Sequence, residues 1–262
     1  MPSADELLRQ GDLDGARAAL VEVVRARPGD PEARIFLFQL MAVAGEWTKA
    51  RTHLDLLAKL SAEAQMLAVA YNQALEAEIF RSAVFDGTAT APILTREADW
   101  AKDIAEAIKL AACGEANAAD DARGRAFDAA PDTPGTLDGI AFDWIADADA
   151  RFGPTFEAII AGQYGLVPFS AVEKITSEGP KDLRDIVWYP VQIGWKNGQS
   201  VAGMLPARYP GTEHSTDGAE RLARATSWRE TPVGEAGSGQ HLLALSGGEE
   251  RGLLELRALS FA

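Results

Sequence analysis

Residues 7–60 read LLRQGDLDGARAALVEVVRARPGDPEARIFLFQLMAVAGEWTKARTHLDLLAKL, and within this stretch the chain nearly repeats itself at a spacing of 34 residues. Gly11, Ala16, Leu20 and Val23 return as Gly45, Ala50, Leu54 and Leu57, and the bulky residue two after each glycine returns as Leu13 and Trp47. A period of this length, with a small residue at each of two helix crossings, is the pattern of a helix–turn–helix repeat of the tetratricopeptide kind. The glycine lets one helix end and the next begin close by, and the alanine lets two backbones approach. Such a unit cannot bury its apolar face alone and needs neighbours to stack on. The N-terminal half therefore reads as a scaffold or docking surface.

The pattern extends in both directions from there. Leu7 and Leu8 sit on a short first helix, and Asp12 is placed to cap the second, whose apolar face carries Ala16, Leu20, Val23 and Val24. Asp30 caps a third helix with Pro31 in its first turn, where a missing N–H costs nothing. Ile35, Phe36, Phe38, Leu40, Met41 and Val43 make that helix apolar on most sides, so it is expected at the centre of the bundle. Ser61 is the expected cap of a long fifth helix reaching about Phe85, where the repeat register fails. Thr95 is the expected cap of a sixth helix bearing Trp100, Ile104, Ile108 and Leu110. Gly114, Ala119 and Pro131 then reproduce the offsets of Gly11, Ala16 and Pro28, which points to a third helical hairpin.

Residues 131–139, PDTPGTLDG, break the composition. Beyond them come short β-branched or apolar runs: Phe156–Ala161, Leu166–Phe169, Val187–Ile193, Val201–Arg208, Gln240–Leu245 and a last one near Leu253–Leu259. Turn signals at Lys196-Asn197-Gly198 and Ser246-Gly247-Gly248 favour antiparallel pairing, and Ala219–Ala225 reads as a short helix or turn. The fold class that follows is α+β: a tetratricopeptide-like helical array over residues 1–134, then a mostly antiparallel, barrel-like β domain over residues 135–262.

With 262 residues, 47% of them apolar, the chain has ample core for two ordinary domains. Its net charge of −14 argues against nucleic acid and anionic membranes as partners and leaves protein partners open. The acidic N-terminal residues Asp5 and Glu6, and the absence of a long apolar run, lead to the expectation of a cytoplasmic protein with neither signal peptide nor membrane span. The one cysteine, Cys113, follows an apolar run and is expected to be a buried, inert thiol.

The densest polar cluster lies in FDWIADADARFGP, where Asp143, Asp147 and Asp149 could line one side of an extended segment and hold a divalent cation. The spacing is not that of an EF-hand loop, and the plainer reading is a solvated turn with Asp147 or Asp149 paired to Arg151. His53, His214 and His241 lie far apart without metal-spaced partners. There is no G-x-S-x-G elbow and no Walker or dinucleotide loop. Residues 234–239, GEAGSG, lack the following lysine of a phosphate cradle, and Ser238 reads as a turn residue. No cofactor is expected. The segment 180–190, PKDLRDIVWYP, reads as a loop anchored by Leu183 and Trp188, with Arg184 paired to an aspartate, or as a rim around a partner.

Five ordered blocks carry a resemblance: FDWIADADARFGPTFEAIIAGQY, PKDLRDIVWYPVQI, LPARYPGTE, DGAERLARATSW and GSGQHLLAL. On these the chain resembles the ImpE family, also called SciE-type or TagJ, an accessory component of bacterial type VI secretion. The resemblance implies an adaptor rather than an enzyme. It would be associated with the contractile sheath and the AAA+ ATPase ClpV, and would engage a helical segment of the small sheath subunit. It brings no catalytic residues with it. From the residues alone two other functions stay open: a metal-dependent enzyme built on Asp143, Asp147 and Asp149, and a purely structural scaffold whose C-terminal half caps the helices.

Overall fold

The computed structural model describes residues 3–60, 62–96 and 98–262. The chain opens with α1 (Ala4–Arg9), α2 (Leu13–Ala26), α3 (Pro31–Val43) and α4 (Trp47–Leu57), paired as two hairpins. Each hairpin turns on its repeat glycine, in the left-handed region at φ +82° for Gly11 and +70° for Gly45. Both turns close in the same way. The glycine N–H bonds back to Leu8 or Ala42, and the next N–H reaches the carbonyl of Leu7 or Met41. This is the Schellman pattern, which satisfies the last carbonyls of the outgoing helix. Asp12 then caps α2 through the Gly15 N–H, and Asp30 caps α3 through the Ala33 N–H. Ala16 and Ala50 are fully buried at the crossings, and α3 is buried along most of its length.

Helix α5 (Ala62–Phe85) is the long element expected, and its expected cap, Ser61, lies outside the described residues. Helix α6 (Ala101–Ala112) begins later than expected, and Thr95 does not cap it. Residues 92–94 are instead held extended against a strand, with Leu94 N–H bonded to Leu166 O and Leu166 N–H to Pro92 O. Helix α7 (Ala116–Ala129) completes the third hairpin on Gly114, whose turn repeats the same bonds, with Ala119 buried at the crossing. Cys113 is the C-terminal cap residue of α6 and is exposed, contrary to expectation: the buried face of that helix is made by Ala101, Ile104, Ala105, Ala107 and Ile108 and ends before it.

The second half contains β1 (Gly135–Leu137), β2 (Ile140–Phe142), β3 (Ile145–Asp147), β4 (Thr155–Ile160), β5 (Gln163–Pro168), β6 (Val172–Thr176), β7 (Trp188–Trp195) and β8 (Ser200–Pro206). The short helix α8 (Gly218–Arg221) follows, then β9 (Thr226–Thr231), β10 (Gly234–Gly239), β11 (Leu242–Leu245), β12 (Glu250–Gly252) and β13 (Ala258–Phe261). Eight strands form one sheet in the order β2-β1-β13-β6-β7-β8-β4-β5, every pair antiparallel; β12-β11-β3 and β10-β9 form smaller sheets. The large sheet is open rather than closed into a barrel: β2 and β5 are its two ends. The turns at Lys196-Asn197-Gly198 and Ser246-Gly247-Gly248 join β7 to β8 and β11 to β12. The last expected strand begins only at Ala258, since Leu253–Glu255 is a 3-10 turn.

One apolar core runs across the change from helix to strand. It joins Leu37, Phe38 and Leu75 to Phe152, Ile159, Leu166 and Trp188, while a second core fills the sheet itself. Trp188, the first residue of β7, is fully buried among helical aromatics, with ring centroids 5.6 Å from Tyr71, 6.1 Å from Trp47 and 6.5 Å from Phe38. The segment before it turns at Leu183–Ile186 and packs on α3, and Arg184 pairs with Asp182 while lying over the Tyr71 ring. This loop thus fastens the sheet to the helices.

Candidate functional site

In the string Ala146-Asp147-Ala148-Asp149-Ala150, β3 ends at Asp147 and the chain bends at Ala148 and Asp149 into a turn; within the strand, alternate side chains go to opposite faces. The aspartates face inward, with Asp147 and Asp149 buried, while the alanines face out. The expected turn is present but its aspartates are buried rather than solvated, and the three carboxylates do not form one cluster. Asp143 is exposed, beside a backbone N–H that bonds to Ser246 Oγ, and does not join the other two. Asp149 does pair with Arg151, but in the interior, and its Oδ2 also accepts the Gly237 N–H at 2.8 Å. Asp147 accepts from the Asp149 N–H and Tyr209 Oη on one oxygen and from His241 Nδ1, at 2.6 Å, on the other. No group of three or more His, Cys, Asp or Glu side chains among the described residues is arranged to hold a metal ion.

From Asp147 the contacts continue into a chain of buried charges. His241 Nε2 lies 3.1 Å from Glu157 Oε2, Glu157 is held by Arg81 through two bonds of 2.7 and 2.6 Å, and Tyr164 Oη donates to Glu157 at 2.6 Å. Arg81 also donates to Arg208 O. One turn earlier on α5, Glu78 accepts the Trp188 indole N–H at 3.0 Å. With a carboxylate on each ring nitrogen, His241 donates from both and is an imidazolium. Its ring lies tilted against Tyr209, 4.0 Å between centroids, and meets Phe152 edge-on. Helix α5, β3, β4, β5 and the β11 approach are therefore tied through one charged line.

The electrostatics follow from burial set against pairing. Burial alone would raise Glu157, but the Arg81 charge and the bonds from Arg81 and His241 overcome it and hold the carboxyl at about 2. Burial would lower His241, but Asp147 and Glu157 carry it up to about 9. Burial pushes Asp147 up, with His241 pulling the other way. The Tyr164 and Tyr209 hydroxyls are raised by burial and by the carboxylates they bond, so both stay donors. Removing one member of such a line strands the others without compensation, at a cost on the order of 3–5 kcal/mol.

Two arginines from the second half finish helices of the first. Arg208 Nη1 donates to Val43 O at the end of α3 and to Arg221 O at the end of α8; burial without a directly bonded carboxylate lowers its pKa to about 10. Arg224 Nη1 donates to Arg9 O at the end of α1. A cation at these positions satisfies orphan carbonyls and complements the helix dipole. The turns of the first two hairpins thus dock against residues 208–224.

Ser238, expected in a turn, is buried on β10. It donates to Glu220, which also accepts from Ser215, Ser227 and Arg229; burial would raise Glu220, and these donors bring it to about 2. Two glycines of GEAGSG serve close packing: a Cβ at Gly237 would lie 2.4 Å from the Tyr209 ring, and one at Gly239 2.0 Å from Ala225 O. His214 is exposed, and His53 lies half-buried on α4 with its pKa lowered by burial and then by Arg34; neither meets His241. Sequence reading missed Glu78, Arg81, Glu157 and Arg208, and gave His241 no partner, where the structure gives it Asp147 and Glu157. The available signal was charge inside otherwise apolar elements, as in EIFR on α5 and TFEAII on β4.

A tetratricopeptide-like helical array fastened by buried ion pairs and helix-capping arginines to an open antiparallel sheet defines the class of protein. Residues 7–75 match the tetratricopeptide repeat model and residues 139–260 match the ImpE protein model. The type VI secretion system accessory component TagJ of Pseudomonas aeruginosa is 42% identical over 260 residues, spanning 98% of this chain and 90% of that protein. The crystal structure of a Vibrio parahaemolyticus protein superposes with a TM-score of 0.88 at 20% identity, covering 99% of this chain and 97% of that one, and so shares the whole fold. The chain belongs to the ImpE family. Among the described residues no helix is long and apolar enough to cross a membrane.

Proposed function

We propose that this protein is a non-catalytic accessory component of a bacterial type VI secretion system, acting as an adaptor in the cytoplasm. Its partners on this reading are the small sheath subunit, the ClpV-type AAA+ ATPase, or both. The observation that carries the proposal is the 42% identity to the TagJ accessory component across 98% of the chain. The geometry is consistent with it. The most polar part of the interior is a closed line of mutually satisfied charges joining the two halves, which suits a rigid platform on which partners meet. The helical half adds a stack of amphipathic hairpins, a form that takes helical segments of other proteins into apolar grooves.

The test is affinity purification of the tagged, full-length protein from cells with an assembled secretion apparatus. The small sheath subunit or the ATPase is expected to co-purify, with no dependence on added metal or cofactor. Recovery of neither contradicts the proposal.

A further inference from the structure

The outward face of the Ala146–Ala150 segment has no role in the buried network. Ala146, Ala148 and Ala150 floor a cavity of about 390 Å³ between β3 and the C-terminal end of α7. Its walls are Phe127 and Trp144, each 43% exposed although both are large aromatic residues. Phe127 is held in place: its ring lies on the backbone of Gly153, where φ is +47° and a Cβ would come within 2.3 Å of it. Half-exposed aromatics around a small-residue floor are the anatomy of an anchor pocket at a protein interface. The volume sits near the lower end of the range of roughly 300–1,000 Å³ for binding pockets, enough for a few apolar side chains.

Charge decides what kind of segment fits. The charged residues lining the cavity are acidic: Asp132 on the rim and Asp147, whose carboxylate is turned into the core. Asp143 precedes Trp144 and Asp128 follows Phe127, both exposed. The arginines nearest in the chain are already engaged, Arg123 with Asp120, Arg125 with Asp103 and Arg151 with Asp149. An acidic segment would meet like charge here, and a basic one would meet its complement.

We propose that this groove docks a short cationic, apolar segment of a protein partner. Its apolar side chains sit between Phe127 and Trp144 and its Lys or Arg side chains meet Asp132 and Asp143. The proposal rests on the adaptor reading for the partner being a protein, and on the groove alone for the chemistry of the segment.

The test uses the full chain and a fluorescein-labelled Leu/Lys peptide with its leucines on one helical face, followed by fluorescence anisotropy. Saturable binding is expected, weakening as salt is raised. It should fall by about tenfold or more in Ala148→Trp, which fills the trough, and in the Asp132→Lys, Asp143→Lys double variant. The same peptide with Glu in place of Lys should not bind. Thermal unfolding of each variant matching the parent separates lost docking from lost folding, and the charge-reversed variant decides the matter if Ala148→Trp is poorly folded. No binding, binding unchanged in a folded groove variant, or equal binding of the Leu/Glu peptide overturns the proposal. Neither sheath subunit nor ATPase is present in this assay, so its failure leaves the co-purification result standing, and failed co-purification leaves the groove.

Discussion

His241 carries the most information of any residue here, because each ring nitrogen faces a carboxylate from a different strand. Its pKa is about 9 in the folded chain against an ordinary 6.5, so the stability it contributes is complete below about pH 6.5 and is lost as pH rises through 9. Glu157 works in the opposite sense: at about 2 against 4.5, its contribution is present above pH 4.5 and is lost as pH falls through 2. Urea unfolding should therefore give its highest midpoint between these limits, with an alkaline loss on the order of 3 kcal/mol. In His241→Gln the alkaline slope attributable to this group should vanish; a slope equal to that of the parent would contradict the assignment. The alternation of aspartate and alanine was legible in the sequence, but its direction was not. Period two allows either face to be the core, and the habit of acidic side chains facing water selects the wrong one. The donors that reverse it, from Tyr209, Gly237 and His241, lie far along the chain.

At the scale of elements, the helices were legible because their signals are local. The capping aspartates, the turn glycines and the buried alanines each act within a few residues. The strands were half legible: β1, β2, β3 and β12 have three residues each, too few for a period-two pattern, and β10 carries Gly237 where the Tyr209 ring leaves no room for a side chain. The second duty of the repeat glycines was not legible at all. A Cβ at Gly45 would fall 2.6 Å from Glu213 Cγ, and a Cβ at Gly218 would fall 2.2 Å from Gly11 O, so these turns are also where the second half approaches the first. Gly45→Ala combines a left-handed backbone with that clash and should cost on the order of 1–3 kcal/mol. Gly29→Ala, with nothing within 4 Å of its added Cβ, should change stability by less than about 0.5 kcal/mol. Chemical denaturation of the two variants checks the contrast, and a silent Gly45→Ala would remove the docking role of the turn.

For the whole molecule, the composition break at residues 131–139 marks a change of secondary structure, while the apolar core runs straight across it. Trp188, Phe152 and Tyr209, with Ile159 and Leu166, bring the second half into a core most of whose members are helical, and Arg81 supplies from α5 the counter-charge that Glu157 needs on β4. A molecule built in this way offers surfaces from both halves in a fixed relation, which suits the proposed adaptor role. The central claim is that helices and sheet form one cooperative unit joined by this charged line. Native-state hydrogen exchange, read segment by segment across a denaturant series, tests it most directly. The account predicts that the protected amides of α3, α5, β4 and β7 merge into a single opening, and that His241→Ala lowers all of them together by about 3 kcal/mol or more. Helical amides that keep their protection while those of β4 and β7 lose theirs would contradict it.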